Sequence, residues 1–156
     1  MGGGTGGHLT PALGLAEGLQ ERGHKTFFLS SGRSVEEDYL CHAGECASLG
    51  VDESSLPRPL PLIPALFRAW THGKKFQPDV VIGLGGLCGC AALSARLGAP
   101  LVLLEGNRVV GRGVRLMQGF AKHTLTLFED TAEHLKSGLW VGPLGRHSLQ
   151  PVSAHE

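Results

Sequence analysis

The chain is short of the features that would tie it to nucleic acid, metal or a membrane span. Lys+Arg and Asp+Glu balance at 14 each, so bulk charge gives no pull toward nucleic acid. No apolar run reaches the roughly 18 residues needed to cross a bilayer, and the opening residues do not read as a secretory signal. The expectation is a soluble protein that can sit against a membrane surface. The four cysteines, Cys41, Cys46, Cys88 and Cys90, form no C-x-x-C pair. Zinc ribbons and thioredoxin-like chemistry are therefore disfavoured, no metal or other cofactor is expected, and free buried thiols in a reducing cytoplasm are. No Gly-Lys-Ser/Thr follows any glycine loop, which removes a nucleoside triphosphate P-loop.

What the chain has in quantity is glycine, 24 of 156 residues, against a usual share of roughly 7%. The glycines sit at the ends of apolar runs, where turns and helix caps need them. The length suits one domain with a real core. Helix and strand patterns alternate along it. Ala12, Leu15, Ala16 and Leu19 fall on one helix face after Thr10 and Pro11, with Gly23 as the stop. A strand is predicted over Lys25–Ser30, then a short helix opened by the capping box from Ser34 to Glu37 and running toward Ala43. After the Pro-rich LPRPLPLIP, a helix is predicted from about Pro64 to Thr71.

DVVI at Asp79–Ile82 and the run Leu101–Leu104 are continuous apolar strands of the kind buried in parallel sheets. Helices are predicted over Ala91–Leu97, Arg112–Phe120 and Thr131–Lys136, and further strands over Thr124–Phe128 and Leu139–Val141. This alternation predicts a doubly wound, mostly parallel α/β domain of Rossmann-like type over residues 1–146. Residues 147–156 read as a linker or tail.

Two glycine-rich turns occupy corresponding places, Gly2–Gly7 before one helix and Gly83–Gly89 between a strand and the next helix. Such turns let successive backbone N–H groups point at one anion, and the helix start behind each adds partial positive charge. Two of them at the carboxyl edge of one sheet suit a diphosphate. A plain tight turn is the competing reading for either loop alone. His8 stands directly behind the first turn, where an imidazole can take a proton from a hydroxyl or bind an anion.

Gly2, Gly4 and Gly7 also fit G-x-G-x-x-G, but an NAD site would want an acid at the end of the next strand. That strand ends in Ser30, Ser31, Gly32 and Arg33, which leaves a small NADP-binding module as an alternative, with Arg33 on the 2′-phosphate.

Ile63, Leu66, Phe67 and Trp70 share one helix face, flanked by Arg58, Arg68, Lys74 and Lys75. An apolar stripe with a basic fringe suits an interfacial helix; packing against the sheet is the other reading. Arg108, Arg112 and Arg115 could share a second, basic face.

GGGTGGHLTPALGLAEGLQERGH resembles the opening motif of the MurG family. PDVVIGLGGLCG resembles that family's second glycine loop, LVLLEGN its H-E-x-N segment, and VGPLGR the V-G-N-P-V-R that closes its N-terminal domain. The resemblance implies the N-terminal half of a GT-B glycosyltransferase, which takes an undecaprenyl-diphospho-muramoyl-pentapeptide acceptor. UDP-N-acetylglucosamine would be held by a C-terminal domain, and the sugar would be transferred with inversion to the acceptor's 4-hydroxyl. It places the protein peripherally on the cytoplasmic face of the bacterial inner membrane, and it implies no cofactor and no nucleic acid.

It further implies that Gly4, Thr5, Gly6 and Gly7, with Gly85 and Gly86, hold the acceptor diphosphate. His8 becomes the catalytic base, Glu105 and Asn107 line the cleft, and Ile63, Leu66, Phe67 and Trp70 meet the membrane. Leu104, Gly106 and Leu87 stand where the family usually has His, often has Gln, and commonly has an aromatic. Since family members begin with a strand ahead of the first loop, the expectation is a domain without its first strand and inactive by itself. A non-catalytic, membrane-docking subunit of a split UDP-N-acetylglucosamine transferase is the alternative.

Overall fold

The computed structural model describes residues 9–32, 39–40, 42–50, 62–84 and 91–144. Five helices and six strands alternate through them. They are α1 (Leu9–Glu21), β1 (Phe27–Ser30), β2 (Glu45–Ser48), α2 (Leu62–Phe76), β3 (Val81–Leu84), α3 (Ala91–Ala95), β4 (Leu101–Glu105), α4 (Arg112–Met117), β5 (His123–Thr126), α5 (Glu129–Glu133) and β6 (Gly138–Trp140).

Every strand pairing is parallel. β1 and β2 form one two-stranded sheet, and β3-β4-β5-β6 form a second in that order. The expected parallel α/β fold is borne out. Among the described residues, though, it is divided into these two sheets rather than joined in one.

Local chemistry sets the element ends. α1 stops at Gly23, which takes φ 81°. The Gly23 N–H donates to Gln20 O at 2.9 Å and the His24 N–H to Leu19 O at 3.0 Å, the paired bonds of a Schellman cap. Ala12, Leu13 and Ala16 are its buried side, with Leu15 and Leu19 half-buried. The Gln20 side chain donates to Ala43 O at 3.0 Å and thereby ties α1 to the segment ahead of β2. α2 is longer than expected and ends where Gln77 turns to φ 55°.

The core has two parts. Leu101 and Leu103 of β4 pack with Ala92, Val110, Val114, Met117 and Leu135. Leu49, Ala65, Ala69 and Ala95 pack together with Leu29 of β1 against them. Helices α2 and α3 thus link the smaller sheet to the larger. Phe27 of β1 reinforces that link, its ring 5.8 Å from His72 and 5.4 Å from Phe76.

Some expectations shift. β2 (Glu45–Ser48) was not anticipated, β3 runs two residues later than DVVI, and Gly83 lies inside that strand rather than in the turn. Cys46 is disulfide-bonded, so the four cysteines are not all free thiols; Cys41, Cys88 and Cys90 lie outside the described residues. So does most of the expected helix from Ser34.

Candidate functional site

In a parallel sheet every strand-to-helix connection leaves from the same edge, and in open α/β sheets that carboxyl edge is where ligands bind. β3 ends at Leu84, paired with Leu104. The ends of β3 and β4 therefore lie side by side at that edge.

The β4–α4 connection is fully described, and Glu105 organises it. This last residue of β4 has no exposed surface. Its Oε1 accepts from the Asn107 backbone N–H and from Asn107 Nδ2, both at 2.9 Å, and its Oε2 accepts from the Gly111 N–H at 2.7 Å. Three donors satisfy a carboxylate that could not otherwise stay buried. From the opposite side Thr131, itself fully buried, donates its hydroxyl to Arg108 O at 2.8 Å. The Leu127 N–H reaches Glu105 O at 3.3 Å.

Arg108 leaves this loop toward α5, where its Nη2 lies 2.6 Å from Asp130 Oδ2. The hydrogen bond to Asp130, and then its charge, raise the Arg108 pKa; the same bond to Arg108, and then its charge, lower that of Asp130. Both side chains are well exposed, 72% and 64%, so the pair is screened by water and weak.

α2 presents a second feature. Ala65, Ala69 and Gly73 form its buried side, where Ala65 and Ala69 pack with Leu49 and Ala95. Ile63 and Phe67 are 66% exposed and Trp70 is 40% exposed. The Phe67 and Trp70 rings stand 5.8 Å apart, and Lys74 Nζ lies 5.1 Å from the Trp70 ring. The large apolar residues thus point outward, against the reading in which they pack on the sheet. Leu66 is half-buried.

The basic fringe is smaller than the sequence suggested. Arg68 Nη1 donates to Leu49 O at 2.8 Å, capping the end of the smaller sheet, and Arg58 lies outside the described residues. Arg108 sits in the loop ahead of α4 and not on a helix face with Arg112 and Arg115.

Of the expected site residues, Gly4, Thr5, Gly6, Gly7, His8, Gly85 and Gly86 lie outside the described residues, as does Arg33. Glu105 and Asn107 are brought together as the sequence implied. Glu105, expected to line the cleft, has no surface to offer one. Sequence reasoning missed Thr131, which meets the loop from 23 residues away, and Gly111, which takes part only through its backbone N–H. The small residues spaced four apart on the other side of α2 could have decided between the two readings of the stripe.

Parallel strands with flanking helices, in two sheets among the described residues, match the Rossmann-like N-terminal half of a GT-B glycosyltransferase. The chain belongs to the glycosyltransferase family 28 N-terminal domain family, whose model matches residues 1–126.

It is 38% identical over 141 residues to the UDP-N-acetylglucosamine–N-acetylmuramyl-(pentapeptide) pyrophosphoryl-undecaprenol N-acetylglucosamine transferase of Pseudomonas aeruginosa, covering 84% of this chain and 40% of that protein. The protein of the same description from an Acidovorax species is 39% identical over 155 residues, covering 91% and 37%. The crystal structure of Acinetobacter baumannii MurG superimposes with a TM-score of 0.72 at 27% identity, over 81% of this chain and 40% of that one. The resemblance to the MurG family read from the motifs is borne out. The chain spans about two fifths of the length of these relatives.

Proposed function

We propose that this chain is the acceptor-binding, membrane-facing half of an inverting N-acetylglucosaminyltransferase of peptidoglycan synthesis, converting lipid I to lipid II. The observation that carries this is the outward apolar stripe of α2 on a domain of this family. A polyprenyl-carried acceptor never leaves the bilayer surface, so the domain that grips its diphosphate must reach that surface. Ile63, Phe67 and Trp70 would enter the headgroup boundary, with Leu66 behind them and Lys74 and Lys75 at the phosphate level. Among the described residues no helix is long and apolar enough to cross a membrane, and the reading is a peripheral one on the cytoplasmic face.

In this reading the turns holding Gly4, Thr5, Gly6, Gly7, Gly85 and Gly86 give backbone N–H groups to the two phosphates. Asn107 lines the same cleft. His8 takes the proton from the acceptor's 4-hydroxyl as its oxygen attacks C1 of N-acetylglucosamine, and UDP leaves with the bonding electrons from the opposite face. A C-terminal domain holds that donor, and residues 1–146 act as the acceptor unit.

Binding to vesicles carrying lipid I, with no measurable affinity for UDP-N-acetylglucosamine, tests the proposal; donor binding without acceptor binding refutes it. The alternative is a non-catalytic, membrane-docking subunit of a split transferase. Radiolabelled transfer appearing only when a separately produced donor domain is added would favour it.

A further inference from the structure

The acceptor reading leaves a chemical problem at Glu105. A diphosphate is recognised by N–H donors and cations, and a carboxylate facing it repels it. Here the carboxylate closes the interior strand β4 and is turned beneath its own loop. Both oxygens are occupied, Oε1 by the two Asn107 donors and Oε2 by Gly111. The contacts reach two and six residues ahead and so span the whole connection into α4, while the buried Thr131 hydroxyl holds Arg108 O. The loop is pinned at 107, 108 and 111, and Val109 at its tip remains 74% exposed.

We infer that Glu105 is a positioning residue for the acceptor site: it fixes the Asn107 carboxamide and the loop backbone, and it touches no ligand. The inference rests on the acceptor reading above. Its chemistry is specific to a carboxylate. Glutamine keeps one acceptor oxygen and must turn an NH₂ group toward one of the N–H donors, whichever way its amide lies. One side of the clamp then opens while side-chain volume is kept.

The test uses the ¹⁵N-labelled 156-residue chain, with inorganic pyrophosphate as the probe. In the wild-type protein the Gly111 amide exchanges slowly and the Asn107 side-chain NH₂ gives two well-separated resonances. Glu105→Gln speeds exchange at Gly111 or Asn107 by about tenfold or more, the loss of one hydrogen bond to a charged group. It also merges the Asn107 NH₂ resonances and lowers pyrophosphate affinity. Unchanged exchange, or a loosened loop with unchanged affinity, overturns the inference.

Should Glu105→Gln fail to fold, Asn107→Ala takes its place: Gly111 exchange stays at the wild-type rate while affinity falls, and a normal affinity overturns the inference. A wild-type Gly111 amide exchanging like a free loop amide overturns it without any variant. A wild-type protein that ignores pyrophosphate refutes the acceptor reading instead, and the exchange data still judge the clamp.

Discussion

Gly73 of α2 lies against the backbone carbonyl of Ala95 in α3, so closely that no side chain fits between the two helices. Both residues are buried. Gly73→Ala therefore forces the helices apart and destabilises the fold by roughly 1–3 kcal/mol, the usual range for overpacking. Gly119→Ala, at a position with open space around it, stays within about 0.5 kcal/mol of wild type. Urea unfolding of the two variants side by side measures the difference.

The exposed stripe separates binding from stability. Phe67→Ser with Trp70→Ser shifts the unfolding midpoint only modestly, since Phe67 is mostly exposed and Trp70 is 40% exposed. Co-sedimentation with anionic liposomes should fall at least about tenfold, given about 1.5–3 kcal/mol for each large apolar side chain buried. Lys74→Ala with Lys75→Ala weakens binding as well, by about fivefold per lysine, and only at low salt.

Thr131 works from inside. Its hydroxyl is fully buried and donates to Arg108 O. Thr131→Val preserves shape and removes the donor, which costs roughly 0.5–1.5 kcal/mol, the net worth of one hydrogen bond to a part-buried carbonyl. Thermal unfolding reads the loss, and the Arg108–Val109 amides should report a looser loop by hydrogen exchange.

The Arg108–Asp130 pair is a surface device and titrates as one. The folded state lowers the Asp130 pKa through the Arg108 hydrogen bond and charge. Its contribution is therefore present above the unfolded aspartate pKa of about 3.9 and is lost as pH falls through the lower folded value. Asp130→Asn should be slightly less stable than wild type at pH 7 in low salt, with the gap closing in high salt and as pH falls below the unfolded aspartate value. A gap that widens on acidification would show that the carboxylate is not held ionised by Arg108.

The fold was legible where burial is two-sided. The run at Leu101–Leu104 is apolar because β4 lies between two other strands with its side chains in the core, and the strand extends one residue past that run, to Glu105. β2 carried no such signal. Its ECAS segment has exposed ends and half-buried middle residues, and among the described residues it pairs with β1 alone.

The C-terminal half of α2 was hidden by Lys74 and Lys75, whose charge ended the apolar periodicity before the helix ended. Glu105 and Asn107 were identifiable by motif. That the carboxylate faces inward was not, because Gly111 and Asn107 hold it through backbone N–H groups that a sequence does not display.

The division into two sheets has a mechanical consequence. Among the described residues no ladder crosses from β1–β2 to β3–β6, and the join runs through Ala65, Ala69 and Ala95 beneath the helix that carries Phe67 and Trp70. Methyl contacts resist separation but tolerate sliding far better than directional bonds do. Pressure on the outer side of α2, such as a lipid surface would exert, is therefore transmitted straight to the seam between the two halves.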